Sequence, residues 1–315
     1  MGDDSEFSSA QTEAQKKYQG SIHTSSEYLP DEFAQGIQDI QDELNVTVLM
    51  LIQNSSNEWY DWISPRVYKE FFDRRNDFSD KKPIALLLRS AGGDPTCSYK
   101  LANFFIKRWG GFITLIPDYA KSAATLLTLG SNRIVLGTYA ELGPIDMQVP
   151  DEEKIMYQSA LNHVQALERL GAYSKTTLDE AIRMFQHKTG KRTAAVLSPA
   201  IEYTASIVRP LMEKFDVVKY SEMSRSLKVG EDYAKRLLYP NYGQDAGKIA
   251  SVLVSSYPEH GFIIDAIEAE AIGLKVELPT GKISEAFGKI LPFIDRLTVL
   301  GSLQEVQENA ENSKN

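Results

Sequence analysis

Three short segments hold residue types that together could carry out acyl transfer. The first is Gly92-Gly93, which follows an apolar run. Paired glycines let a backbone come close to a ligand and turn its N–H groups outward. On their own they are also the commonest way to build a turn. The second is Tyr119-Ala120-Lys121-Ser122-Ala123-Ala124. It places Ser122 where a strand gives way to a helix, beside the positive end of the helix dipole, which favours negative charge developing on an attacking oxygen. Ala123 and Ala124 leave room for a substrate carbonyl, although an ordinary N-cap serine has the same setting. The third is Glu141-Leu142-Gly143-Pro144-Ile145-Asp146, which brings one carboxylate, Asp146, to the next loop. A lone loop aspartate is usually a turn former.

The combination is more specific than any of its parts. A backbone N–H of the diglycine and the N–H after Ser122 would form an oxyanion hole, with Gly93 and Ala123 as the expected donors and Gly92 in the substrate loop. No metal and no organic cofactor is implied. His23, His163, His187 and His260 lie far apart in the chain, and none has the i, i+4 partner of a helical metal site. Cys97 is the single cysteine, so it has no disulfide partner. It reads as a small, partly buried apolar residue.

The elements that must position these residues follow from hydrophobic patterning. Residues 46–52, 83–88, 112–116 and 133–136 are aliphatic runs suited to strands buried on both faces. Ser64-Pro65 opens a helix, with Ser as N-cap and Pro at the first helical position. A second helix spans 96–109, with Tyr99, Leu101, Ala102, Phe105 and Ile106 inward, and Gly110-Gly111 ends it. A short apolar helix covers 122–129. This alternation predicts right-handed βαβ units in a mainly parallel sheet, with the site at the C-terminal ends of neighbouring strands. Residues 152–215 read as mostly helical, 231–238 and 247–254 as helical patches, and Ser226-Leu227-Lys228-Val229-Gly230-Glu231 as a turn into a helix. Residues 262–264 suit a short strand, and 283–297 an amphipathic helix interrupted at Pro292. Residues 1–30 are polar and read as disordered, 31–300 as one α/β domain with a helical subregion, and 301–315 as a flexible tail. Trp59, Tyr60 and Trp62 either line a groove or pack under a loop.

Three stretches carry a family resemblance: 84–93 (Ile-Ala-Leu-Leu-Leu-Arg-Ser-Ala-Gly-Gly), 121–130 (Lys-Ser-Ala-Ala-Thr-Leu-Leu-Thr-Leu-Gly) and 141–146, with a fourth from Tyr257 to Asp265 followed by Ile272-Gly273-Leu274. In order and spacing they resemble the serine dehydrogenase proteinase family, itself related to signal peptide peptidase A and the Clp proteolytic subunit. The likeness covers roughly residues 45 to 277. It implies a ClpP/crotonase-like superhelix of ββα units, a mainly parallel sheet, peptide-bond hydrolysis by a serine and assembly into a homo-oligomer. Ser122 falls on the nucleophile position, and Gly93 and Ala123 on the oxyanion positions. A serine hydroxyl needs a neighbour to take its proton. Clp-type enzymes place a histidine where this chain has Asp146, and an acidic residue close to where it has His260. Asp146 and His260 are therefore candidate relay residues with their places exchanged. Relatives of signal peptide peptidase A use a lysine instead, for which Lys154 is a loose candidate. Lys121 adjoins Ser122 and should point away from it. His163 and His187 sit on charged helical patches and read as solvent-facing.

The remaining bounds come from composition. The chain has 315 residues, a formal net charge of -9 and a sequence pI of about 5.1. An acidic chain repels phosphate backbones, which argues against nucleic-acid partners. The N-terminus lacks a signal-peptide core, Glu6 breaks the myristoylation pattern, and no apolar run reaches membrane-spanning length. These features suggest a cytoplasmic protein with no integral membrane segment. With no Gly-rich phosphate loop, any ATPase partner would be a separate chain. Two other readings stay open: a non-catalytic peptide-binding scaffold of the same fold, and a crotonase-type acyl-CoA enzyme.

Overall fold

The computed structural model describes residues 16–55, 59–146, 148–150 and 157–306. Strand β1 (Lys17–Gly20), the short β2 (His23–Thr24), helix α1 (Asp31–Leu44) and β3 (Thr47–Ile52) come first. Helix α2 (Pro65–Asp73), β4 (Ile84–Arg89), α3 (Pro95–Trp109), β5 (Phe112–Ile116), β6 (Tyr119–Ala120), α4 (Ala123–Thr128), β7 (Arg133–Leu136) and β8 (Glu141–Leu142) follow. A hairpin of β9 (Gln148–Pro150) and β10 (Tyr157–Ser159) leads into three long helices: α5 (Ala160–Thr189), α6 (Thr193–Met212) and α7 (Val217–Tyr242). The chain ends with α8 (Ala246–Ser255), α9 (Ala266–Ala271), β11 (Val276–Glu277), α10 (Gly281–Ile294) and β12 (Val299–Val306).

The main sheet has the order β1-β12-β3-β4-β5-β7-β11, with β2 also on β12. Strands β3, β4, β5, β7 and β11 are parallel, and β12 runs antiparallel to β1, β2 and β3. The chain is thus a mixed α/β protein built on a mostly parallel sheet. The period-2 geometry of a strand sends alternate side chains to opposite faces. Leu49, Leu51, Leu86 and Leu88 enter the larger core, under the α2, α3, α7 and α8 side. Val48, Met50, Ala85 and Leu87 enter a second core closed by α1 and α10. Each fully buried aliphatic side chain is worth ~1.5–3 kcal/mol, so both faces pin the register.

A second, shallow layer sits at the C-terminal ends of the strands. Ile63 bridges Gly93, Ser90 bridges Ala120, β6 pairs with β8, and Leu142 bridges Ile264. The chain therefore repeats a sheet strand, a short extended segment and a helix. These repeats set the catalytic candidates side by side.

Five expectations change. Residues 17–20 and 23–24 are strands rather than part of a disordered segment, because β1 and β2 both pair with β12. Strand β12 continues to Val306, past the boundary expected at residue 300, for the same reason. Residues 226–231 lie within one unbroken α7. Leu227, Gly230, Ala234 and Leu237 recur at helical spacing and are buried, which outweighs the ~1 kcal/mol cost of a mid-helix glycine. Of residues 262–264, only Ile264 makes a β-bridge. Helix α10 runs through Pro292. No helix among the described residues is long and apolar enough to cross a membrane.

Candidate active site

Ser122 occupies the corner between β6 and α4 with φ 52° and ψ -121°. A β-carbon rarely adopts this region, so the backbone is strained. Neighbouring bonds enforce the geometry. Lys121 N–H donates to Ser90 O at 3.0 Å, Ala124 N–H to Lys121 O at 2.8 Å, and Leu126 N–H to Ser122 O at 3.1 Å. The Ser122 hydroxyl makes no capping hydrogen bond, unlike Ser64 in α2 and Ser159 in α5. It is therefore not serving as an ordinary N-cap. Ala123 opens α4, so its N–H belongs to the first turn, where no intrahelical acceptor exists.

The diglycine packs directly against this corner. Gly92 has φ 110°, and a β-carbon there would lie 2.8 Å from Ser122 Cβ and 3.0 Å from Ala123 N. At Gly93, φ is 145° and a β-carbon would fall 2.4 Å from Ile63 O. Both positions require glycine. Ile63 N–H donates to Gly92 O and Asp94 N–H to Ile63 O, each at 2.8 Å. In such a bridge the N–H of the intervening Gly93 takes no part in the pairing with Ile63. A buried relay fixes the turn. Gly92 N–H donates to Ser90 Oγ at 3.0 Å, Ser90 Oγ donates to Gln53 Oε1 at 2.6 Å, and Gln53 Nε2 donates to Tyr60 O at 2.8 Å.

Asp146 lies on the loop after β8. Gly143 N–H donates to Thr125 Oγ1 at 3.1 Å and Ile145 N–H to Leu253 O at 2.9 Å, tying this loop to α4 and α8. The Asp146 side chain is 3% exposed and its Oδ1 lies 2.6 Å from His260 Nδ1. Its Oδ2 accepts from Gln148 Nε2 at 3.1 Å and from Ser159 Oγ. Burial pushes the Asp146 carboxyl up, but the hydrogen bonds from His260 and Ser159 and the imidazole's charge outweigh it and hold it below the usual carboxylate value. His260 sits in the turn between α8 and Ile264 and keeps partial solvent access, with its side chain 30% exposed. Ser122, Gly93, Ala123 and Asp146 line one pocket of about 60 Å³.

Lys121 turns to other partners. Its Nζ lies 2.6 Å from Glu141 Oε1 and donates to the carbonyls of Leu142 at 3.2 Å and Phe262 at 3.5 Å. It is a strut tying the Ser122 corner to the loops that carry Asp146 and His260. Lys154 lies outside the described residues, and so does the side chain of His163. His187 is exposed at the end of α5. No cluster of metal-ligating side chains occurs among the described residues. Cys97 is buried, and burial with the nearby Asp94 carboxylate pushes its thiol up to about 11. Tyr60 is core while Trp59 and Trp62 are 65% and 45% exposed, and Arg66 stacks 4.6 Å from the Trp59 ring centroid.

Sequence reasoning places Ser122, Gly92, Gly93, Ala123 and Asp146 together by fold logic; in the structure Ser122, Gly93, Ala123 and Asp146 line one pocket, and Gly92 packs against Ser122 without lining that pocket. Sequence reasoning did not single out Ser159, Gln148, Ser90 or Gln53. Ser159 had a usable signal, a serine just before a long helix, where it accepts from Leu161 N–H at 3.1 Å as the α5 cap.

Comparison with known proteins adds little to this geometry. No protein-family model matches the chain. Two uncharacterised proteins of Methanocaldococcus jannaschii are similar in sequence. MJ0137 is 19% identical over 248 residues, 76% of this chain and 72% of its own length. MJ1495 is 22% identical over 195 residues, 62% of this chain and about half (52%) of its own length. Among solved structures, a mutant of the 1510-N membrane-bound stomatin-specific protease matches 81% of this chain and 92% of its own, at 13% identity and a TM-score of 0.42.

Proposed function

We propose that this chain is a serine hydrolase acting on peptide bonds, with a ClpP/crotonase-type fold. In this reading Ser122 is the nucleophile, His260 the general base and Asp146 the residue that orients and charges it. Gly93 and Ala123 donate to the oxyanion. The observation that carries the reading is a strained, uncapped serine in one pocket with a buried carboxylate that itself holds a histidine at 2.6 Å. Asp146 engages His260 Nδ1, so Nε2 is the nitrogen that takes the Ser122 proton as Oγ attacks the carbonyl carbon, and later returns it to the leaving amine. The oxygen of the tetrahedral adduct is then met by two backbone N–H groups that need no reorganisation. The choice of a peptide bond rests on the resemblance of segments 84–93, 121–130 and 141–146 to serine peptidases.

Assembly as a homo-oligomer is part of the same proposal. It is supported by Leu197, Ile201, Leu211 and Met212 on α6 and by Val217 and Val218 at the start of α7, all 40–69% exposed. Light scattering on the eluting peak of a sizing column reads the assembly, and a monomeric mass removes that part of the proposal. The central test is labelling with a fluorophosphonate probe, on the protein and on Ser122→Ala, followed by peptide mass spectrometry. Modification at Ser122 that is lost in Ser122→Ala is expected. No modification under conditions that label a control peptidase refutes the hydrolase reading and leaves a peptide-binding scaffold.

A further inference from the structure

We propose that Ser159 is a positioning residue of this site: by fixing the Asp146 carboxylate it sets the His260 imidazole for proton transfer, so the start of α5 is built into the relay. The inference rests on Ser122 being the nucleophile and His260 its base.

A carboxylate has two oxygens, and Oδ1 of Asp146 is taken by His260 Nδ1 at 2.6 Å. What holds Oδ2 therefore decides how firmly Oδ1 is aimed. Asp146 is buried, so bulk water supplies few of the donors that an ionised carboxylate needs. Two side chains supply them instead: Gln148 Nε2 at 3.1 Å, and Ser159 Oγ. Gln148 and Ser159 are opposed partners in the β9–β10 ladder, and opposed residues project to the same face. Closing that hairpin thus brings both donors to one oxygen. The direction of the Ser159 hydroxyl is fixed from its other side. Its oxygen accepts the Leu161 N–H at 3.1 Å as the α5 cap, which leaves the proton for Asp146. An ionised carboxylate can only accept, so this arrangement satisfies both groups.

Ser159 therefore has two separable duties. One is to cap α5, where glycine is nearly as good. The other is to restrain Asp146 by donating to it, which threonine can do and glycine cannot. The same bond helps the carboxyl stay ionised against its burial, together with the bond from His260. The positive end of α5 acts in the same direction. A charged and immobile Asp146 is what keeps a proton on His260 Nδ1 and leaves Nε2 free to accept one. Ser159 is not on the lining of the pocket that holds Ser122, whereas Gln148 and Asp146 are. Any part it plays in the chemistry runs through Asp146.

The test is the rate of fluorophosphonate labelling at Ser122 in the full chain, which needs no known substrate. Ser159→Gly should label about tenfold more slowly than wild type, because a hydrogen bond to a charged group is lost while the cap is kept. Ser159→Thr keeps the hydroxyl and should recover most of that loss. Beside Asp146→Ala, with more probe, Ser159→Gly should change the rate by less than about twofold, since the group it serves is gone. A merely structural role would slow labelling equally in both backgrounds. Thermal melts establish that each variant is folded at the assay temperature. If Ser159→Gly is not, Ser159→Val replaces it, matching threonine in shape without the hydroxyl. Wild-type labelling in the variant that lacks the hydroxyl, or an equal slowing beside Asp146→Ala, overturns the inference and leaves Ser122 as the nucleophile. Absence of labelling at Ser122 in the wild-type chain overturns the hydrolase reading and this inference together.

Discussion

The φ of 52° at Ser122 makes a sharp prediction about stability. Ser122→Gly and Ser122→Ala both remove the hydroxyl, and that hydroxyl caps no helix, so neither loses a structural hydrogen bond there. Alanine keeps the β-carbon and with it the strain, which costs ~1–3 kcal/mol in such regions. Glycine removes the strain but pays ~0.5–1 kcal/mol in extra chain entropy. The balance favours Ser122→Gly over Ser122→Ala by ~0.5–2 kcal/mol. At about 2 °C per kcal/mol for a chain of this size, glycine should melt ~1–4 °C higher. Paired thermal melts with matched urea titrations measure it. At an unstrained position inside a helix the order is reversed, with alanine the more stable by ~1 kcal/mol. If Ser122→Ala equals or exceeds Ser122→Gly, the corner is unstrained, and the claim that the fold holds this hydroxyl out for chemistry loses its physical basis.

Other consequences follow from the same geometry. Asp146→Asn keeps the shape but leaves His260 without its anion and should lower turnover by ~10³–10⁴-fold, read as kcat at fixed pH, while Ser122 stays folded at its corner. The Asp146 carboxyl is held below its ordinary value in the folded state, so its stabilising share is complete above the ordinary carboxylate range and is lost as pH falls through the lower folded value. Wild type and Asp146→Asn should therefore converge in urea-measured stability on acidification, and a constant gap contradicts the coupling. Gly92→Ala would set a β-carbon 2.8 Å from Ser122 Cβ at φ 110°, so it should destabilise by ~2–5 kcal/mol and abolish probe labelling. A melt within 1 °C of wild type sinks that prediction. Cys97, buried with its thiol pushed up to about 11, should resist maleimide at pH 8 and react only after unfolding, as mass spectrometry would show.

The parts of the fold that a sequence reader finds are those where one residue type meets one environment. Strands β3, β4, β5 and β7 are buried on both faces, and uninterrupted aliphatic runs signal that directly. Strands β1 and β12 are different. Lys-Tyr-Gln-Gly and Ser-Leu-Gln-Glu keep polar residues because part of each strand faces water, and what makes them strands is pairing with distant segments, β1 with β12 and β12 with β1, β2 and β3. Gly230 misleads because local propensity opposes a helix that tertiary burial enforces. At the site, Ser122 and the diglycine announce themselves through small residues at strand ends. The Asp146–His260 contact spans 114 positions, and nothing in local spacing foretells a bond of that reach. Ser90 and Gln53 are silent for the same reason, since their 37-residue bond exists only in the folded sheet.

In β1 and β12, Lys17 and Val306 are ladder partners, and the Lys16 ammonium lies 3.2 Å from Glu305. The described body thus begins and ends at one point on one sheet edge. A hairpin turn of about two residues could join those ends, and the chain would be a closed loop with no free terminus in the body. New ends could then be opened at the turn between α5 and α6, where Gly190 is exposed and left-handed. In that permuted chain His260 would precede Ser122 in sequence, while the sheet and the pocket would be unchanged. The direction in which the chain is threaded would then be separable from the chemistry it builds.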